Sequence, residues 1–200
     1  MESALLLPPG TPHRQIRRST RDDWRTPPAL MRSLIDRWRF TGDACADAVN
    51  TWASSWIDQK ADALKASWEP LGPRIWMNPP YSKCNEFIRR ARAVSSDLGV
   101  QVVALVPSTM DVRWFHEDAV PHASELWFFR GRISFVDPVT VKPTSGNPVG
   151  SVLVVFDGRQ SHAGPRVGRL CSLTGKPTNE GDGYYWRSRC EGVGLPLFEK

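Results

Sequence analysis

The residues best suited to chemistry form a short turn, Asn78-Pro79-Pro80-Tyr81, delivered by the apolar run Ile75-Trp76-Met77 and followed by Ser82. Consecutive prolines remove two backbone donors and fix φ near about −65°, so the turn does not continue a central ladder. It holds the Asn78 amide and the Tyr81 ring in a stiff, presented geometry, which is what a site needs. The plain alternative is a Pro-Pro turn that closes a strand, with Tyr81 packed as core. Four residues alone do not separate the two.

The tetrapeptide resembles the (Asp/Asn/Ser)-Pro-Pro-(Tyr/Phe/Trp) signature of S-adenosylmethionine-dependent methyltransferases that act on amino groups attached to planar systems. The resemblance implies catalytic roles for Asn78, Pro79, Pro80 and Tyr81. An exocyclic NH2 conjugated to a ring is a poor nucleophile. The Asn78 side-chain oxygen and the Pro79 carbonyl would accept its hydrogens, freeing the lone pair to face a methyl sulfonium. Alignment then supplies much of the effect, without a metal or a deep general base. Tyr81 would stack on the flat substrate, as required of an enzyme that takes a nucleotide out of its helix.

Such a turn needs a sheet beneath it and a pocket beside it. Downstream, Phe87, Ile88, Ala91 and Val94 fall on one helical face with arginines opposite, and Val100 to Pro107 is a near-continuous apolar run of buried-strand length. Strand, helix and strand in alternation predict an α/β fold. Glu125 to Phe135 reads as two strands around a Gly turn, and Val149 to Phe156 as a final strand.

Upstream, Thr26-Pro27-Pro28 precedes Leu30, Met31, Leu34 and Trp38 at helical spacing. Thr26 is a good N-cap and proline is tolerated in a first turn, so a capped amphipathic helix is expected. A helix N-terminus with a free Thr hydroxyl also suits an anion such as the carboxylate of S-adenosylmethionine. Phe40 to Asn50 reads as a short strand running into small residues that let a ligand approach the backbone. Its Asp43-Ala44-Cys45-Ala46 resembles a degenerate methyltransferase motif I without the usual Gly-x-Gly, which gives Asp43 the cofactor's amino-acid end. An Asp-rich loop with a buried Cys45 is the simpler reading of that segment alone. Trp52 to Trp68 reads as irregular, then helical. Its Asp62-Ala63-Leu64 resembles the element that binds and covers the cofactor adenine, although Asp62 is equally a solvent-facing helix residue.

Ser108 to His116 follows the carboxyl end of a strand, where open α/β sheets place ligands. Ser82, Arg113, Arg130, Arg132 and Lys142 are candidate nucleic-acid contacts, Lys142 lying in a Pro-, Gly- and Thr-rich loop from Asp137 to Pro148 that is long enough to meet a substrate. Arg113 pairing with Asp111 or Glu117, and an edge hairpin kept soluble by charge, are the competing readings. His116 reads as structural.

Two hundred residues suit one domain with an unstapled core, and seventeen prolines act as loop punctuation. A net charge of +5 and a pI near 9.3 favour an acidic partner such as nucleic acid. Cys45, Cys84, Cys171 and Cys190 have neither Cys-x-x-Cys nor ligand spacing, so free thiols and no metal site are expected. Met1 to Pro9 lacks a basic leader and no segment would span a bilayer, so a soluble cytoplasmic protein is expected, in the host cell if phage-encoded. The expected organisation is a flexible basic arm over 1–22 carrying Arg14, Arg17, Arg18 and Arg21, a methyltransferase domain over 23–157, and an appendage over 158–200 with Tyr184, Tyr185 and Trp186, for which packing on the domain, DNA contact and mobility are the open readings.

The ordered set Trp24-Arg25-Thr26-Pro27, Asp43 to Ala46, Asp62 to Leu64, Asn78 to Tyr81, Arg113 to His116 and Phe129 to Arg132 resembles the phage-type, Dam-like DNA N6-adenine methyltransferase family over residues 22–157. The resemblance implies a Rossmann-like methyltransferase fold, with a mixed, mostly parallel seven-stranded sheet and a late strand inserted antiparallel. It implies S-adenosylmethionine as donor and adenine N6 in double-stranded DNA as acceptor. Methylation of cytosine N4, RNA or a protein glutamine, or an inactive nucleic-acid-binding relic, remain as alternatives, and oligomeric state is open.

Overall fold

The computed structural model of the chain describes residues 21–144, 147–159 and 164–178. Arg14, Arg17 and Arg18 of the basic arm, Cys190, and the group Tyr184, Tyr185 and Trp186 lie outside the described residues.

Seven strands form one sheet: β1 Gly42–Asp43, β2 Ser55–Trp56, β3 Arg74–Met77, β4 Gln101–Pro107, β5 Glu125–Arg130, β6 Ser151–Asp157 and β7 Arg166–Cys171, in the order β2-β1-β3-β4-β6-β5-β7. Neighbours run parallel except at β6, which is antiparallel to both β4 and β5. The expected mixed, mostly parallel sheet with a late antiparallel insertion is therefore present. The Val-rich runs of β4 and β6 pair from Gln101↔Asp157 to Pro107↔Ser151 and are buried almost throughout, because helices or loops cover both faces.

Side chains alternate between those faces. Ile75, Met77, Val102, Ala104, Val152 and Val154 meet Phe87, Ile88, Ala91 and Val94 of α2 (Cys84–Leu98). Trp76, Val103, Leu105, Leu153 and Val155 meet Leu30, Met31, Leu34 and Trp38 of α1 (Pro28–Trp38). Each helix buries the stripe its spacing predicts. At the sheet's thin end, an added Cβ on Gly42 would overlap the side chain and carbonyl of Leu71, so only glycine lets β1 pack there.

Four expectations change. The helix start is at Pro28, with Pro27 in the cap position and no side-chain cap, so Thr26 does not cap it. A residue before proline is steered to extended backbone. Residues 52–68 hold β2 and turns rather than a helix, since the Asp58 and Asp62 side chains accept from the backbone N–H of Ala61 and Leu64 and close local turns. Only β5 forms over 125–135, while Val136 makes single bridges to Arg25 and Pro143. Past residue 157, β7 pairs in parallel with β5 and buries Leu170 fully, so the expected appendage contributes its described part to the main sheet.

Candidate active site

The chain goes from β1 outward to β2, then returns to the other side of β1 for β3. Such a reversal opens a crevice beyond the carboxyl ends of the two strands. Asp43 ends β1 and Asn78 directly follows β3. The Ala44 N–H donates to the Trp76 carbonyl at 2.9 Å, so the Asp43 loop and the Asn78 turn leave the sheet side by side.

Asn78 is held by the segment before α1. Its Nδ2 donates to the Trp24 carbonyl at 3.2 Å. A carbonyl only accepts, so this bond fixes which end of the amide faces away from it. That end, Oδ1, is buried and has no partner. Trp24 is fixed in turn by reciprocal backbone bonds between Arg25 and Val136, both 2.9 Å, which bring up Phe135. Phe135 stacks on Trp24 at 6.1 Å and 27° and meets Tyr81 edge-on at 6.1 Å and 90°. Trp24, Asn78, Pro79, Tyr81 and Phe135 thus line a narrow, closed-up crevice in which Asn78 Oδ1 and the Tyr81 hydroxyl are both unpartnered.

Pro80 starts the next turn, its carbonyl accepting from the Lys83 N–H at 3.0 Å. The Tyr81 hydroxyl is buried beside Ser151 without a completed hydrogen bond. Burial pushes the phenol above its usual range, so Tyr81 offers a neutral ring and not a base.

On the β1 side, Asp43 is 3% exposed and its Oδ1 accepts from the Cys45 N–H at 3.1 Å. Burial raises its carboxyl from 3.8 to about 7 against the pull of the Cys45 and Trp52 backbone bonds, with the Asp47 charge adding to the rise. Burial also raises the Cys45 thiol, so it is no thiolate. Thr26 is buried and its hydroxyl has no partner. Pro27 beside it accepts from the Met31 N–H at 2.9 Å. Arg25 reaches Asp47 at 3.4 Å and ties the Thr26 segment to the Asp43 loop.

Ala44, Ala63 and Cys84 are buried in one cluster, with Cys45 and Leu64 packed on it, and Ala46 is buried nearby with its N–H on the Ile57 carbonyl at 3.2 Å. The small-residue loop and residues 63–64 thus pack on the same buried face of the sheet. Asp62 is set apart, half exposed at φ 57°, with its carboxylate on Lys65 at 2.9 Å and held below its usual range chiefly by that bond.

Of the expected nucleic-acid contacts, Ser82 and Arg113 are engaged within the chain. Ser82 donates its N–H and hydroxyl to the two carboxylate oxygens of Asp22 at 3.0 and 2.6 Å. Arg113 forms a bidentate pair with Glu117 at 3.1 and 3.2 Å, the competing reading of that residue, and borders a second cleft shared with Tyr81, Ser82, Asn85, Arg89 and Trp114. Arg130, Arg132 and Lys142 are exposed, as is His116. Sequence reasoning singled out neither Phe135 nor the Arg25–Asp47 and Asp22–Ser82 links. The one available signal was the run Trp24-Arg25-Thr26, whose partners lie far along the chain.

Among the described residues, no helix is long and apolar enough to cross a membrane. The sequence profile of the family described as DNA N-6-adenine-methyltransferase (Dam) matches residues 13–180. The chain is 27% identical over 153 residues to the "DNA N-6-adenine-methyltransferase" of Escherichia phage T1, covering 69% of this chain and 63% of that one. It is 31% identical over 144 residues to the protein of the same name from Haemophilus phage HP1 (strain HP1c1), covering 70% and 82%. It thus spans less than two thirds of the T1 relative's length. Solved structures with some likeness include one described as a modification subunit of a type I restriction enzyme from Vibrio vulnificus YJ016, with 11% identity, a TM-score of 0.39, and coverage of 81% of this chain and 49% of that chain. Another is described as an O-methyltransferase from Agrobacterium tumefaciens, with 16% identity, a TM-score of 0.33, and coverage of 66% and 61%. Likenesses that distant carry no argument. On the extent of the profile match and the identity to the HP1 protein, the chain belongs to the DNA N-6-adenine-methyltransferase (Dam) family.

Proposed function

We propose that the chain transfers a methyl group from S-adenosylmethionine to the exocyclic N6 of adenine in double-stranded DNA. The observation that carries this reading is the buried, unpartnered Oδ1 of Asn78, aimed by the Trp24 carbonyl into an aromatic crevice. Family membership supports the choice of adenine and of the donor.

The residues present fit the donor. The orphan Thr26 hydroxyl suits a carboxylate, and Asp43, poised near pH 7, would be drawn into its charged form by an ammonium group. Ala44 to Ala46 and Ala63 to Leu64 offer small or apolar surface beside them. When bound, S-adenosylmethionine supplies an electrophilic methyl on a sulfonium.

Asn78 Oδ1 and the Pro79 carbonyl accept the two N–H groups of the adenine amine, which turns the nitrogen lone pair out of conjugation and towards that methyl. Asn78 and Pro79 would thereby hold the amine nitrogen with its lone pair exposed to the methyl that S-adenosylmethionine would supply, and the nitrogen's surplus proton would pass to solvent. Pro79 and Pro80 hold the acceptors rigid. The neutral Tyr81 ring, with Phe135 and Trp24, clasps the flipped base. Arg113, Arg130, Arg132 and Lys142 contact phosphates around the crevice, and the work is done where DNA is, in the host cytoplasm.

The test is incubation of the purified protein with methyl-labelled donor and plasmid DNA, followed by chromatography of the nucleosides. Label in N6-methyladenine is expected. Label confined to N4-methylcytosine, or none in DNA, overturns the assignment.

A further inference from the structure

The loop rooted in the crevice wall ends in two exposed valines. Phe135 lines the crevice, and its carbonyl accepts from the Thr144 N–H at 2.6 Å. Val136 bridges to Arg25 on one side and Pro143 on the other. Beyond it the turn closes on Asp137, whose N–H reaches the Lys142 carbonyl at 3.0 Å and whose Oδ1 accepts from the N–H groups of Val139 and Thr140, both at 2.8 Å. Asp137 also takes the Val141 N–H on its carbonyl at 2.9 Å. The tip is a built turn on a short stem.

Its side chains are wrong for a turn in water. Val139 is 49% exposed and Val141 76%. Val141 sits at φ 57°, where a β-branched residue is strained and glycine or asparagine is at ease. Val141 gains little burial to offset that strain, so its use lies outside the folded chain. Two side chains are far too small a patch for a stable protein interface. They are the size of a wedge between base pairs, and the adjacent Lys142 is exposed and carries the charge that suits a phosphate backbone.

Resting on the reading that the crevice takes a flipped adenine, we propose that Val139 and Val141 form an apolar wedge that enters the duplex beside the flipped base and fills the space it leaves. The stem places the wedge a few residues from Phe135, so insertion and capture of the base belong to one ribbon. These are positioning residues: they hold the helix open without touching the reacting amine.

The test uses the full chain and its Val141→Gly, Val141→Ile and Val139→Gly/Val141→Gly variants. Two duplexes carry the sequence that the wild type methylates on plasmid DNA, one intact and one with an abasic site opposite the target adenine. On the intact duplex kcat/KM is expected to fall about tenfold or more in the double variant, because unstacking loses its support. On the abasic duplex, where no pair opposes flipping, it is expected to return to within about twofold of wild type. Val141→Ile should keep activity. Val141→Gly should melt no lower than wild type, since glycine relieves the backbone, so its loss on the intact duplex is not a folding defect. Equal losses on both duplexes, or no loss on either, overturn the wedge.

Permanganate oxidation of thymines in protein-bound plasmid DNA separates this from the methylation reading. A wild type that labels no DNA sinks that reading, yet unstacked thymines that disappear in the double variant keep the wedge. An identical permanganate pattern for the two proteins overturns it.

Discussion

On one side of β3 lie β1 and β2, two residues each; on the other lie β4, β6, β5 and β7, of six or seven. The long half buries Val, Leu and Phe on both faces and carries few of the polar groups described above. The short half is mostly turns and holds Asp43, while Asn78 stands at the seam. A long hydrophobic ladder resists deformation. Short strands expose backbone and side chains near a ligand, and they are steadied by single links such as Trp24 to Asn78 and Arg25 to Asp47. On the proposed reading, stability and chemistry sit on opposite sides of one strand.

If that separation holds, substitutions on the two sides should fail in different ways. The largest effect is expected from Asn78→Ala. It removes the orphan acceptor and should lower turnover by about 10³-fold, as for loss of one preorganised polar contact in a transition state. Calorimetry should find donor affinity nearly unchanged, and melting should cost only about 1 kcal/mol for the bond to Trp24. Normal turnover would remove the turn from the mechanism.

Next comes Leu105→Ala in the long half, at a fully buried position. A cavity there should cost about 3 kcal/mol in denaturant unfolding while kcat per folded molecule stays near wild type. A comparable collapse of kcat would mean that the halves are not separate.

Asp43 gives a smaller, pH-dependent effect. Its folded value near 7 lies above the ordinary 3.8, so the native state holds this proton more tightly than the unfolded chain. Stability is therefore highest below about pH 4 on this group's account and declines as pH rises towards 7. Asp43→Asn should flatten that decline. On the proposed reading donor binding needs the charged carboxylate and runs the other way, weakening by roughly eightfold from pH 7.5 to pH 6. Titration calorimetry at both values checks this, and pH-independent binding would deny Asp43 the ammonium.

Least is expected of Arg25→Ala. Its partly exposed pair with Asp47 should contribute under about 1 kcal/mol to stability. A loss of donor affinity larger than that, by calorimetry, would promote the link from tether to contact.

Regular patterns were the legible part of the fold. The face of α2 and the run of β4 can be read from spacing because burial repeats every turn or every residue there. Strand β7 escaped, since Arg166-Val167-Gly168-Arg169-Leu170-Cys171 is an edge sequence with one fully buried side chain. Thr26 looked like a cap because its type and place were right. The backbone bonds of Arg25 with Val136, which no local pattern announces, hold its neighbour extended instead.

The sequence by itself determined the kinds of group available: a stiff Asn-Pro-Pro-Tyr turn after an apolar strand, an acid before small residues, and a family whose profile runs through most of the chain. Only the tertiary structure decided which end of the Asn78 amide points into the crevice and that Asp43 titrates near 7. Both depend on partners and on exclusion of water. Those are supplied by segments distant in sequence, and no local spacing encodes them.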